Sequence, residues 1–153
     1  MDTCITDVLP GARDEGGPVG LDDQAAHLLR RAHQRASAIY LGLLSEHQLT
    51  PAQYFAMARL HERGELSQNR LGRLAAMDPA TIQGVMRRLG ERGYIERTPD
   101  ASDRRRMVLR LTRDGRSLIG RLLAESERVN EAVLEPLDEA QRAVFLSLLR
   151  RLV

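Results

Sequence analysis

From Asp22 to about Glu46 the apolar residues recur at steps of three and four, through Leu21, Ala25, Leu28, Leu29, Ala32, Ala36, Ile39, Tyr40, Leu43 and Leu44. That period predicts one long amphipathic helix of about 24 residues with a broad apolar stripe. So long a helix on a small domain calls for a packing partner beyond its own chain. Thr50-Pro51-Ala52-Gln53 then supplies a cap, a proline at the first helical position and the far half of a capping box. The helix it opens carries Phe55, Met57, Ala58 and Leu60 and ends near Arg63-Gly64. Ser67 caps a short helix over 67–75, and Asp78-Pro79 opens another that runs to Gly93, a left-handed cap. Two β-type runs follow, Tyr94 to Arg97 and Met107 to Leu111. Between them lie the turn formers Thr98, Pro99, Asp100, Ser102 and Asp103 and then Arg104, Arg105 and Arg106. Thr112 caps a second long helix that Pro136 breaks, and Asp138 with Gln141 starts the last one, which carries Val144, Phe145, Leu148, Leu149 and Leu152.

The predicted order is long helix, three short helices, hairpin, long helix, helix: a mainly α chain with a small β-hairpin. Residues 1–20, rich in glycine and proline and without period, read as a flexible tail. The helices over 67–75 and 78–92 form a helix-turn-helix. Followed by a two-stranded wing, they make a winged helix over 49–115.

Composition sharpens this picture in one place. The chain of 153 residues carries a net charge of only +2. Between Arg87 and Arg116, however, ten arginines face five acids, a local net of +5. Basic charge gathered around a helix and hairpin is the footprint of a nucleic-acid partner. On a helical wheel Ile82, Val85, Met86 and Leu89 point inward, while Ala80, Gln83, Gly84, Arg87 and Glu91 point out, flanked by Thr81 and Arg88. Gly84 in mid-helix costs about 1 kcal/mol relative to alanine. Close approach of a partner to the backbone would explain it; a merely solvated face with a tolerated glycine is the other reading. Gln83 can read adenine bidentately, and arginine reads guanine.

Arg97, Asp100, Asp103, Arg105, Leu109, Leu111, Thr112 and Gly115 stand in the pattern R-x-x-D-x-x-D-x-R-x-x-x-L-x-L-T-x-x-G. It resembles the wing signature of the MarR family of winged helix-turn-helix transcriptional regulators, and the resemblance extends over roughly residues 22–153. It implies a homodimer in which residues 21–48 and 116–153 form a helical dimerisation domain. It further implies double-stranded DNA as partner at a pseudo-palindromic operator, with the helix matching 78–92 in the major groove and the wing in the minor groove. Arg105 then matches the arginine that enters the minor groove, and Asp103 the acid that orients it. A narrow minor groove concentrates negative potential and attracts arginine. Arg104 and Arg106, taken to alternate to the other side of the strand, are expected at phosphates. The expected protein is a repressor released by a small aromatic or heteroaromatic acid. The segment from Gly72 to Leu89 also resembles regulators of aromatic and N-heteroaromatic acid breakdown. In such proteins the acid binds where the dimerisation helices meet the winged helix. Arg35, Tyr40, Tyr54, Phe55 and His61 are the candidates here, a buried arginine or histidine beside aromatics suiting a carboxylate on a ring.

Other chemistries find less support. Cys4 is the sole cysteine, so no intrachain disulfide forms, and it stands among aspartate and glycine rather than activating groups. A redox-responsive regulator built on Cys4, or a winged helix serving protein interaction alone, are the alternatives. His27, His33, His47 and His61 lack the spacing of a zinc site, and no cofactor is expected. Gly16-Gly17-Pro18-Val19-Gly20 follows no strand and is no nucleotide fingerprint. No catalytic constellation stands out, so no enzyme is expected. With no apolar run of about 18 residues and no signal pattern, the expected location is the cytoplasm, with no membrane partner.

Overall fold

Capping and periodicity set the helix boundaries of this chain, and the computed structural model, which describes residues 20–153, follows them closely. Two compact units emerge, divided between His33 and Gln34. In the first, a 3-10 turn over Leu21–Asp23 leads into α1 (Ala25–Leu44), whose first half belongs here. His27 lies 3.7 Å from the Asp22 carboxylate at this entry. The predicted tail and Cys4 lie outside the described residues, apart from Gly20.

The second unit holds the rest of α1, then α2 (Pro51–Arg63), α3 (Gln68–Leu74), α4 (Pro79–Glu91), β1 (Ile95–Pro99), β2 (Met107–Leu111), α5 (Arg113–Leu134) and α6 (Glu139–Arg150). The capping boxes at Thr50 and Gln53 and at Asp138 and Gln141 are both formed. Ser67, Asp78 and Thr112 each accept a backbone N–H at the start of their helices, as expected. Helices α3 and α4 end alike. The Met77 N–H donates to the Gly72 carbonyl and the Tyr94 N–H to the Leu89 carbonyl, closing each last turn over a left-handed residue, Ala76 and Gly93.

Leu44, Met57, Leu60, Leu71, Leu89, Ile119 and Leu122 are fully buried and join α1, α2, α3, α4 and α5 in one core. Helix α2 sits at its centre, packed on α3, α4, α5 and β2. The hairpin is antiparallel, with Ile95 opposite Leu111 and Pro99 opposite Met107. Its first strand therefore runs through Thr98 and Pro99, two residues expected in the turn. Proline is tolerated there because an edge strand leaves one row of N–H positions unpaired. Leu66 adds a bridge to Leu109, with N–H···O distances of 3.1 and 2.8 Å. The wing is thereby hydrogen-bonded to the segment before α3. The result is a winged helix-turn-helix framed by helices.

Candidate nucleic-acid interface

Helix α4 divides its residues as its sequence requires. Ile82, Val85, Met86 and Leu89 are buried, whereas Ala80, Thr81, Gln83, Arg87 and Arg88 are exposed and Gly84 is half-exposed. Its N-terminus is tightly fixed. One Asp78 carboxylate oxygen accepts from the backbone of Ala80 and Thr81, both at 2.9 Å, and the other accepts the Thr81 hydroxyl at 2.5 Å. Thr81 is thus partly committed to the cap. Arg87 donates to Glu91 one turn on, at 3.1 Å, so its guanidinium lies along the exposed face rather than swinging free. Arg88 has no such tie among the described residues. A Cβ built on Gly84 would meet nothing within 4 Å among the described residues, so their packing gives no reason for a glycine there.

The wing tip is a closed loop. The Asp100 N–H donates to the Arg106 carbonyl, the Arg106 N–H to the Asp103 carbonyl, and the Asp100 carboxylate accepts both the N–H and the hydroxyl of Ser102. The Ser102 hydroxyl bond first, then its backbone bond, holds the Asp100 carboxyl below the usual carboxylate range. Asp103 accepts the Arg105 Nε at 3.3 Å, leaving that side chain 93% exposed and aimed outward from the tip. The expected alternation of Arg104, Arg105 and Arg106 along a strand does not hold. These three residues form the turn, β2 begins only at Met107, and Arg106 folds back so that its Nε lies 3.5 Å from Asp103. The reason is local: the Asp100 and Asp103 backbone bonds draw the tip closed before the strand can start. Among the described residues, Arg104 alone of the three has no acid partner.

Several ties were invisible in the sequence. Arg97 donates to Gln68 of α3 at 2.7 Å, and Arg110 bridges Glu96 at 2.9 Å and Glu65 at 3.7 Å, pinning the wing to the helix-turn-helix. Gln83, Arg87, Glu91, Ile95 and Arg97 line part of an open groove of about 360 Å³ between α4 and β1.

The effector candidates divide. Tyr40, Tyr54 and Phe55 come together, with ring centroids 5.2 to 5.4 Å apart, and burial together with the nearby Tyr54 raises the Tyr40 hydroxyl pKa. The expected buried cation does not join them. Arg35 is exposed and donates to the Val133 and Ala132 carbonyls at 2.7 and 3.3 Å, near Glu135. The unsatisfied carbonyls at the C-terminus of α5 attract the guanidinium there. His61 is exposed on the last turn of α2. Among the described residues no group of three or more His, Cys, Asp or Glu is placed to hold a metal, and no helix is long and apolar enough to cross a membrane.

This architecture matches known proteins. The sequence profile of the MarR family matches residues 49–107, which contain α2 to the start of β2. The repressor NicR of Pseudomonas putida is 33% identical over 136 residues, covering 89% of this chain and 86% of that protein. The chain belongs to the MarR family. It is a MarR-type transcriptional regulator with the family's winged helix-turn-helix. A probable transcriptional regulator from Pseudomonas aeruginosa superposes with a TM-score of 0.82 at 42% identity, over 88% of this chain and all of that one. BpsR of Bordetella bronchiseptica, whose DNA binding is regulated by 6-hydroxynicotinic acid, superposes equally well at 34% identity, over 89% of this chain and 97% of its own.

Proposed function

We propose that this regulator is a cytoplasmic homodimeric repressor that binds a pseudo-palindromic operator and is released by a small aromatic or heteroaromatic acid. Helix α4 lies in the major groove, with Gln83 and Arg87 reading base edges and Ala80, Thr81, Gly84 and Arg88 along the contact. Arg105 enters the adjacent minor groove, aimed by Asp103, while Arg104 and Arg106 meet the backbone. The observation that carries this reading is the pairing of an exposed, polar α4 face with an exposed Arg105 held by the Asp103 carboxylate. Such a carboxylate limits the rotamers a long side chain must give up on binding.

The dimer rests on what the chain leaves uncovered. Helix α6 buries none of its residues, yet Val144, Phe145 and Leu148 are 50%, 39% and 52% exposed. A short helix with an uncovered apolar face is marginal in water on its own, and a second copy would bury it. The proposed division is accordingly residues 21–48 and 116–153 for the dimer and 49–115 for DNA. The repressor role and the acid ligand draw support from NicR, a repressor, and from BpsR, which responds to 6-hydroxynicotinic acid. The Tyr40, Tyr54 and Phe55 cluster is the proposed place for the aromatic ring, with Arg35 and His61 at its margins. To release DNA the acid must bind one dimer conformation more tightly than the other.

A duplex selected from a random library by the wild-type protein, used in gel shifts, tests the reading. Arg105→Ala should lose most of the affinity while the protein keeps its fold and oligomeric state. Gln83→Ala should relax base preference by about 1–3 kcal/mol at one position of the site. Wild-type affinity in Arg105→Ala, or a uniform loss over all sequences in Gln83→Ala, contradicts the corresponding assignment. A wild-type protein that enriches no duplex defeats the reading itself.

A further inference from the structure

Helix α4 ends on Arg92, and this residue does more than close a helix. Its guanidinium reaches 44 and 45 residues back along the chain, donating to the Gln48 carbonyl at 2.7 Å and the His47 carbonyl at 2.8 Å. Those carbonyls belong to the corner between α1 and α2. There a 3-10 turn over Ser45–His47 extends α1, and Gln48 takes a left-handed conformation with φ of 52°. Carbonyls at the end of a helical segment carry partial negative charge and lack intrahelical partners, so a planar guanidinium is well matched to two of them at once. The guanidinium also lies over the Tyr94 ring, 4.9 Å from its centroid, which fixes the plane of the fork.

Tyr94 carries the connection further. Its carbonyl accepts the Thr112 N–H at 3.0 Å, and Gly115 packs so hard against it that a Cβ there would lie 2.0 Å from the oxygen. The Thr112 hydroxyl donates to the Gly93 carbonyl at 2.7 Å and accepts the Gly115 N–H. The ends of α1 and α4 and the starts of β1 and α5 therefore meet at one knot. All these residues lie in the second unit.

We infer that Arg92 is a positioning residue that sets the angle of the recognition helix against the α1 and α5 framework, and thereby the spacing of half-sites the dimer accepts. The inference rests on the dimeric DNA-binding reading above. The knot joins α4 to α1 and α5, two helices proposed to form the dimer. Elsewhere α4 is held by apolar packing and its own cap, interactions that tolerate small rotations. The Arg92 fork is directional and single, so its loss frees the helix end without emptying the core. Arg92 is half-buried; its guanidinium is engaged with Gln48, His47 and Tyr94, none of them proposed to meet DNA, and only its backbone N–H reaches the Arg88 carbonyl, within the helix.

The test compares three duplexes with wild type, Arg92→Lys and Arg92→Ala. One is the duplex selected by the wild-type protein, one has a base pair inserted between its half-sites, and one is of random sequence. An inserted pair moves one half-site by about 3.4 Å and turns it by about 35°. The wild type should reject the insertion strongly. Both variants should lose roughly tenfold on the native spacing, lose much less on the inserted duplex, and keep wild-type affinity and salt slope on the random one. Arg92→Lys keeps the charge but not the fork, so it should behave as Arg92→Ala does. Lysine behaving as wild type, or either variant keeping wild-type spacing preference, overturns the inference. An equal loss on all three duplexes also overturns it, since that is the mark of a general fold defect or a lost phosphate contact. Tyr94→Leu, which removes the ring under the fork, should relax spacing in the same sense and guards against a poorly folded Arg92 variant. A wild-type protein indifferent to the insertion would instead remove the dimer reading, a failure separate from that of the variants.

Discussion

Two glycines show how a single residue type serves opposite needs. At Gly115 the requirement is internal, because the Tyr94 carbonyl occupies the place of a side chain. At Gly84 nothing internal forbids a methyl group, and an alanine would raise helix stability by about 1 kcal/mol. Gly84→Ala should therefore melt at a higher temperature than wild type and bind the selected duplex more weakly, while Gly115→Ala should unfold more easily by about 1–3 kcal/mol. Thermal unfolding and gel shifts on the same preparations check both. A Gly84→Ala protein that gains stability and keeps full affinity would show that no partner approaches that backbone. The sequence exposed Gly84 as anomalous because it sits on an outward helical face. The constraint at Gly115 stayed hidden, since the carbonyl that imposes it comes from another element, and only the wing signature marked the position. Arg35 shows the limit from the other side. Its type suited a carboxylate ligand, but the carbonyls at the end of α5, almost a hundred residues away, were the groups that engaged it.

At the scale of elements, what is local in sequence was readable and what is distant was not. The five helix caps over Thr50, Ser67, Asp78, Thr112 and Asp138 depend on residues three or fewer apart, and all of them formed. The helix expected over 67–75 ends where the sequence put it, but its left-handed closing residue escaped, because alanine rather than glycine stands at position 76. The bridge between Leu66 and Leu109 escaped because it joins segments far apart in the chain. Among the caps, that of α4 has a pH dependence of definite sign. The Thr81 hydroxyl, then the Thr81 and Ala80 N–H groups, hold the Asp78 carboxyl below its ordinary value of 3.8. A folded-state pKa below the unfolded one stabilises fully at neutral pH, and that contribution disappears as pH falls through the lowered value. Asp78→Asn keeps a cap oxygen but cannot titrate. Urea unfolding from about pH 5 to about pH 2 should show wild type losing more stability than Asp78→Asn over the same interval. Parallel losses would mean that the cap does not feel the charge.

For the whole molecule the decisive fact is where apolar surface is left uncovered. Helix α1 buries only Leu44 and α6 buries nothing, although both carry strong leucine patterns. That pattern is what made the sequence point beyond its own chain. It could not say which residues would meet the second copy, because interfacial and core leucines share one periodicity. The exposed apolar members of α6 are the ones proposed for it. Leu148, 52% exposed, lies in the last turn of α6, one turn on from Phe145 and Val144. A glutamate there meets solvent in the single chain and should leave the winged helix intact. Within a dimer the same carboxylate would be desolvated without a partner, at a cost of several kcal/mol. Leu148→Glu should thus sediment as a monomer at concentrations where wild type is a dimer. Two half-sites bound through one rigid dimer gain from effective concentration, a gain the monomer forfeits. Affinity for the selected palindrome should therefore fall by roughly 10²-fold or more. Binding to an isolated half-site should change little, and the salt slope should fall as fewer phosphates are neutralised. A Leu148→Glu protein that still sediments as the wild-type dimer would place the interface elsewhere, and a monomer with undiminished palindrome binding would show that the two wings act independently.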